Sequence, residues 1–276
     1  MPLRTSTTPR LVVPFLAGLA GVAALASVPA CSKKSDAPAP TTSASALAVS
    51  QPPGTAMVVK YDIVKDSKAS LVGPAPVQTL KAETSAMEGS LDVDLMNLMN
   101  TRGVVKVDLL TLATKTFDSK AEDEKQTKDA SGWLEVGPAV TPEMREKNRW
   151  ADFAIRSIED ASVSNVTKVP AVREGADDVR SVVVKAKGDL LLHQLVAKDK
   201  PVTLDVKFHY PPGAAADSKP TSIVITTKEP FKIPIKDHDV KPRDAAGAIA
   251  RSAFGLIGTK VAEVLDITFV IKAVPH

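Results

Sequence analysis

The chain of 276 residues contains a single cysteine, Cys31. No intramolecular disulfide is possible, and a cysteine-ligated zinc site is excluded. Aromatic residues make up only 4%, so any interior must be built mainly from Val, Leu, Ile and Ala. Charge of one sign is also scarce, with 35 Lys+Arg against 32 Asp+Glu and a formal net charge of +3. That balance supplies no basic surface for nucleic acid. An apolar run at residues 11–26 is rich in Ala and Gly and falls short of the ~20 residues of a permanent membrane helix. No glycine-rich phosphate loop, dinucleotide fingerprint or GxSxG nucleophile turn occurs. With no cofactor implied, an enzyme is not expected.

Residues 1–30 read as an export signal. Arg4 and Arg10 precede the apolar run, and small residues lead to Val28-Pro29-Ala30-Cys31. That end is similar to a bacterial lipobox, with Pro29 an unusual residue in it. The resemblance implies acylation at Cys31, anchorage in the cell envelope and, from Ser32, sorting to an outer membrane facing the periplasm. The alternative is an ordinary secretory signal with an incidental cysteine. Residues 31–54, dominated by Ser, Ala, Pro and Thr, have too little large apolar content to offset the entropy of ordering and read as a disordered tether.

From residue 55 the pattern changes to period-two alternation, the mark of strands with one dry and one wet face. Strands are predicted at about 57–63, 88–95, 104–110, 150–158, 162–169, 179–187, 188–208, 222–227, 231–235 and 264–272. Ala197 to Pro201, carrying Lys198, Asp199 and Lys200, is read as the loop joining two strands of a hairpin within 188–208. Thr141-Pro142-Glu143 is a helix start, with Thr as cap and Pro in the first turn. Residues 117–128 are highly charged and fit a solvated loop or helix, and 244–253 a short helix. So many strands with so few helices indicate a single all-β domain over residues 55–276, an antiparallel sandwich or barrel.

Four histidines occur, His193, His209, His238 and His276, with no metal-ligand spacing. Asp237-His238-Asp239 suggests a catalytic cluster in isolation, but no poised nucleophile accompanies it. The run from Asp237 to Arg243 reads as a solvated rim loop.

The hairpin carries a family likeness. Gly188-Asp189-Leu190, then Leu192-His193, then Lys200-Pro201-Val202-Thr203-Leu204-Asp205-Val206 resembles the central hairpin of the YceI-like lipid- and polyisoprenoid-binding family. Tyr61-Asp62-Ile63 with Ser67, Glu88-Gly89-Ser90-Leu91, Trp150-Ala151-Asp152-Phe153-Ala154-Ile155 and residues 261–272 are similar to other strands of that family. Gln194 stands where the family often has glycine. The resemblance implies an antiparallel lipocalin-like β-barrel with one or two short helices. It also implies an apolar lumen holding an isoprenoid or other amphiphilic lipid, for carriage or sequestration. Candidate lumen residues are Leu91, Val93, Val105, Val107, Phe153, Ile155, Leu204, Val206, Phe208, Ile267 and Phe269, taken from the dry faces of the strands. Taken singly, each reads as a core residue, and the lumen reading rests on the set. A filled barrel would indicate instead an envelope structural or interaction protein that binds no ligand.

Overall fold

Residues 42–44, 46–48, 57–76, 78–241 and 262–276 are described in a computed structural model. The alternating segments become strands, named here in chain order: β1 (Thr42–Ser43), β2 (Val58–Ile63), β3 (Lys68–Gly73), β4 (Leu80–Thr84), β5 (Met87–Asp94), β6 (Arg102–Asp108) and β7 (Ala113–Thr114). After helices α1 (Lys120–Trp133) and α2 (Pro142–Asn148) follow β8 (Trp150–Ala161), β9 (Val172–Glu174), β10 (Asp177–Leu192), β11 (Leu195–Tyr210), β12 (Ser222–Thr227), β13 (Phe231–Pro234) and β14 (Val264–Pro275).

Eight of these strands close a ring. In order they are β2, β5, β6, β8, β10, β11, β12 and β14, each antiparallel to the next, and β14 returns to β2. The fold is therefore an antiparallel meander barrel, which leaves its ring strands without the exposed edges of an open sheet. Near the end of the barrel that carries the β10–β11 turn, β14 pairs instead with β3 and β13, and β3 continues into β4 and β7. This end is called the hairpin end below.

The β10–β11 turn lies at His193-Gln194, not at the predicted Ala197–Pro201 loop. Leu192 pairs with Leu195, and His193 (φ 51°) and Gln194 (φ 61°) are both left-handed, the two-residue turn whose twist matches the flanking strands. Neither residue is glycine, so side-chain contacts must hold the conformation. Gln194 Nε2 donates to Asn148 Oδ1 at 2.8 Å, and His193 Nδ1 lies 3.1 Å from the carbonyl oxygen of His238. Lys198 and Asp199 form a bulge instead, where the register shifts between Gly188 and Leu190 and Asp199 is left-handed (φ 54°).

Further differences have local causes. The predicted strand at 162–169 is a loop with a 3-10 turn at Val166–Lys168, because the Asn165 side chain accepts the Thr167 N–H and competes with a ladder. The charged segment is helix α1, capped by Ser119 with Glu122 three residues on, a capping-box spacing. Helix α2 starts as expected, with the Thr141 hydroxyl accepting from Met144 N. The rim-loop reading of 237–239 is overturned: Ile235–His238 is a 3-10 turn, and His238 is fully buried. Part of the tether is ordered too. Thr42 and Ser43 pair with Val196 and Leu195, Ala44 N donates to Gln194 O at 2.9 Å, and Arg156 donates to the carbonyl of Ala48. The predicted signal, Cys31, the remainder of the tether read over 31–54 (up to 41, 45 and 49–54) and the 244–253 helix lie outside the described residues.

Candidate functional site: an apolar cavity at the hairpin end

The barrel interior divides into a packed half and a hollow half. Away from the hairpin end, Tyr61, Leu91, Leu95, Phe208, Tyr210 and Ile223 are each at most 1% exposed and mesh into one core. Arg180 closes that end, stacking 4.4 Å from the Tyr210 ring and donating to Ala216 O at 2.7 Å.

Toward the hairpin end the side chains stop meeting and leave a cavity of about 180 Å³. Its wall is the inward face of nearly every strand: Val105 and Val107 from β6, Ala151 and Phe153 from β8, Leu190 and Leu192 from β10. Opposite stand Phe231 and Ile233 of β13 with Leu265, Ile267 and Phe269 of β14. Alternation produces the strand part of this wall, since every second residue faces inward, and Trp133, Leu134, Ile235 and Val240 complete it from outside the strands. Among the described residues no charged side chain lines the cavity, and polar side-chain groups come only from Ser70, Thr84, Thr114 and Trp133. Such a lining offers water few partners, so the space favours apolar contents.

Of the candidate lumen residues, Val105, Val107, Phe153, Ile267 and Phe269 line the cavity. Leu91, Val93, Ile155, Leu204, Val206 and Phe208 do not: all six are buried in the packed half, where they fill the core. Their strands alternate in the same way, but they lie lower in the barrel, and period-two patterning carries no information about depth. The candidate set also missed part of the wall. Val202, Phe231 and Ile233 had the alternation that would have found them, whereas Leu190 and Leu192 stand in an unbroken Leu run that hides which side faces inward. Trp133 and Leu134, at the end of α1, carried no such signal, because α1 is polar and buries no residue.

The segments that surround the cavity at the hairpin end are held by polar contacts. Glu135, just past α1, places Oε2 2.6 Å from His193 Nε2 and so fixes Trp133 and Leu134 against the turn. At the other end of α1, Thr114 Oγ1 donates to the Asp123 carbonyl at 2.6 Å, and Asp123 Oδ1 accepts from Thr116 N at 2.8 Å. Ile235 and Val240 line the cavity on either side of His238. The His238 Nδ1–H is shared between the carbonyls of Leu192 and Leu195, each at 3.2 Å. Its Nε2 is buried without a partner, and burial pushes the imidazole pKa down. The residue therefore works as a buried staple between the hairpin turn and the 235–240 segment.

The outer face of β8 carries a second polar feature. Asp152 is 2% exposed and its Oδ1 has no partner. Burial drives its pKa up, against the opposing influence of Lys106 and of a hydrogen bond from the Leu47 backbone. Among the described residues there is no group of three or more His, Cys, Asp or Glu able to hold a metal ion. No helix among them is long and apolar enough to cross a membrane.

Fold and site together define a closed antiparallel barrel with an apolar cavity in its hairpin half. No family model matches the chain, and no curated protein matches it. Among solved structures, the chain is similar to a polyisoprenoid-binding domain from Saccharophagus degradans implicated in plant cell wall breakdown. That likeness has 12% identity, a TM-score of 0.45, and coverage of 79% of this chain and 99% of that one. It is also similar to BcnA of Burkholderia cenocepacia, at 12% identity and a TM-score of 0.40, covering 75% of this chain and 95% of that one. Both likenesses are distant.

Proposed function

We propose that this protein is a YceI-like binding module of the cell envelope, exported, acylated at Cys31 and held on a membrane, by sequence analogy the outer one. It takes the apolar tail of an isoprenoid or comparable amphiphile into its cavity for carriage or sequestration. The observation that carries this reading is the cavity wall, built from aliphatic and aromatic side chains with no charge among the described residues. Burial of a tail there is favoured by ~25 cal/mol per Å² of apolar surface, before association costs. A polar head has no partner inside and stays at the mouth. The sequence resemblance of the 188–206 hairpin supports the same reading.

The test is mass spectrometry of lipid extracted from the full chain after gentle purification from its own membranes, with uptake of a polyprenyl probe by the emptied protein. A co-purifying apolar molecule and saturable uptake are expected. Absence of both would overturn the proposal in favour of the structural role that a filled barrel implies, for which the packed half of this one is the supporting observation.

A further inference from the structure

We infer that the ring pair Phe153–Phe231 is the floor of the cavity and sets the length of tail it accepts, at about six to eight carbons. This deepens the binding reading above and rests on it. The two rings come from β8 and β13, which do not pair with each other. They meet across the lumen edge to face, with centroids 5.4 Å apart and planes at 72°. Phe153 faces Leu190 in the register, yet its ring lies over Gly188, one inward position further from the mouth. A Cβ on Gly188 would stand 2.4 Å from Phe153 Cζ. The ring therefore leans down the barrel toward the packed half, and the absence of a side chain at 188 lets it do so. Beyond it Ile155, Leu204 and Phe208 are packed and line no cavity.

The space above the floor is small. A cavity of about 150 Å³ takes up one benzene ring, and the one here is about 180 Å³. The ligand class is therefore an amphiphile whose terminal six to eight carbons enter, or whose whole tail is no longer than that. A long polyprenyl chain would leave most of its length outside.

The test is calorimetric binding of 1-alkanols from six to sixteen carbons to the full-length protein. Affinity is expected to rise about fourfold per methylene and to stop rising near eight carbons. In the double variant Phe153→Leu, Phe231→Leu the break moves out by about two carbons, so 1-decanol binds ~15-fold tighter than to the parent. Gly188→Ala, which forces the Phe153 ring upward, moves the break to shorter chains and gives an independent reading if the double variant fails to fold. A parent that binds no alkanol of any length removes the binding reading itself. Affinity that climbs unbroken to sixteen carbons, or a break unmoved in folded variants, overturns the floor and leaves the cavity reading standing.

Discussion

Replacing Gly188 by Ala tests the packing of the whole hollow half. Gly188 does not have a left-handed backbone, so a Cβ adds no conformational strain, and its effect is steric. The new carbon would stand 2.4 and 2.7 Å from Cζ and Cε1 of Phe153 and 2.6 Å from the Ala154 carbonyl oxygen. The carbonyl belongs to the β8–β10 ladder, so the ring must yield first, and some backbone shift follows. Overpacking of this kind costs about 1–3 kcal/mol. Against it stands a gain of about 0.4–1 kcal/mol from the reduced freedom of the unfolded chain. A net loss of ~1–2 kcal/mol results, a fall in Tm of roughly 2–8 °C for a domain of this size. Phe153→Leu shortens the ring that the Cβ meets. The double variant should therefore lose less than the sum of the two singles, with a coupling of at least about 0.5 kcal/mol. Thermal and urea unfolding of the four proteins measure this cycle. A Gly188→Ala protein as stable as its parent, or purely additive losses, would refute the placement of the Phe153 ring.

Three other outcomes follow from the buried groups and the docked strand. His238 has a depressed pKa in the fold, so the unfolded chain binds its proton first; its stabilisation is complete above the ordinary histidine value of about 6.5 and is lost as pH falls through the folded value. His238→Gln should flatten that part of a Tm–pH profile between pH 8 and 5, and an unchanged profile would count against the buried staple. Asp152 has the opposite sign: its folded pKa is raised, so its contribution is present below about pH 3.9 and lost as pH rises through the folded value. Asp152→Asn should therefore melt higher than the parent at pH 7, with the gap closing by pH 3, and equal melting at pH 7 would contradict it. Ala44→Pro removes the N–H donated to Gln194 O and costs about 0.5–1.5 kcal/mol locally. Hydrogen exchange should quicken across 42–48 and the turn at 193–196 while 204–210 stays protected, and unchanged exchange at 193–196 would show that β1 does not hold that edge.

The all-β class was legible because alternation is a local property, whereas the choice of barrel over sandwich came from the resemblance of the hairpin. Val202, Leu204, Val206 and Phe208 are all buried, with Thr203, Asp205 and Lys207 between them less so, as the residue pattern requires. Thr141-Pro142 likewise announced α2 through its own cap chemistry. The turn was misplaced because His193 and Gln194 are poor turn residues in isolation. Their left-handed backbone is held by Asn148 and His238, which lie 46 and 45 residues away in sequence. His238 was read as solvated for the same kind of reason, since its two carbonyl partners exist only once the hairpin has formed.

By itself, then, the sequence determined which face of each strand is apolar and that the interior is aliphatic and poor in charge. Those follow from interactions between residues close in the chain. Only the tertiary structure decided where along the barrel the inward side chains mesh and where they leave a space. Depth depends on which rings meet across the lumen, as Phe153 and Phe231 do from strands that share no hydrogen bond, and the residue pattern of any one strand is blind to what stands opposite.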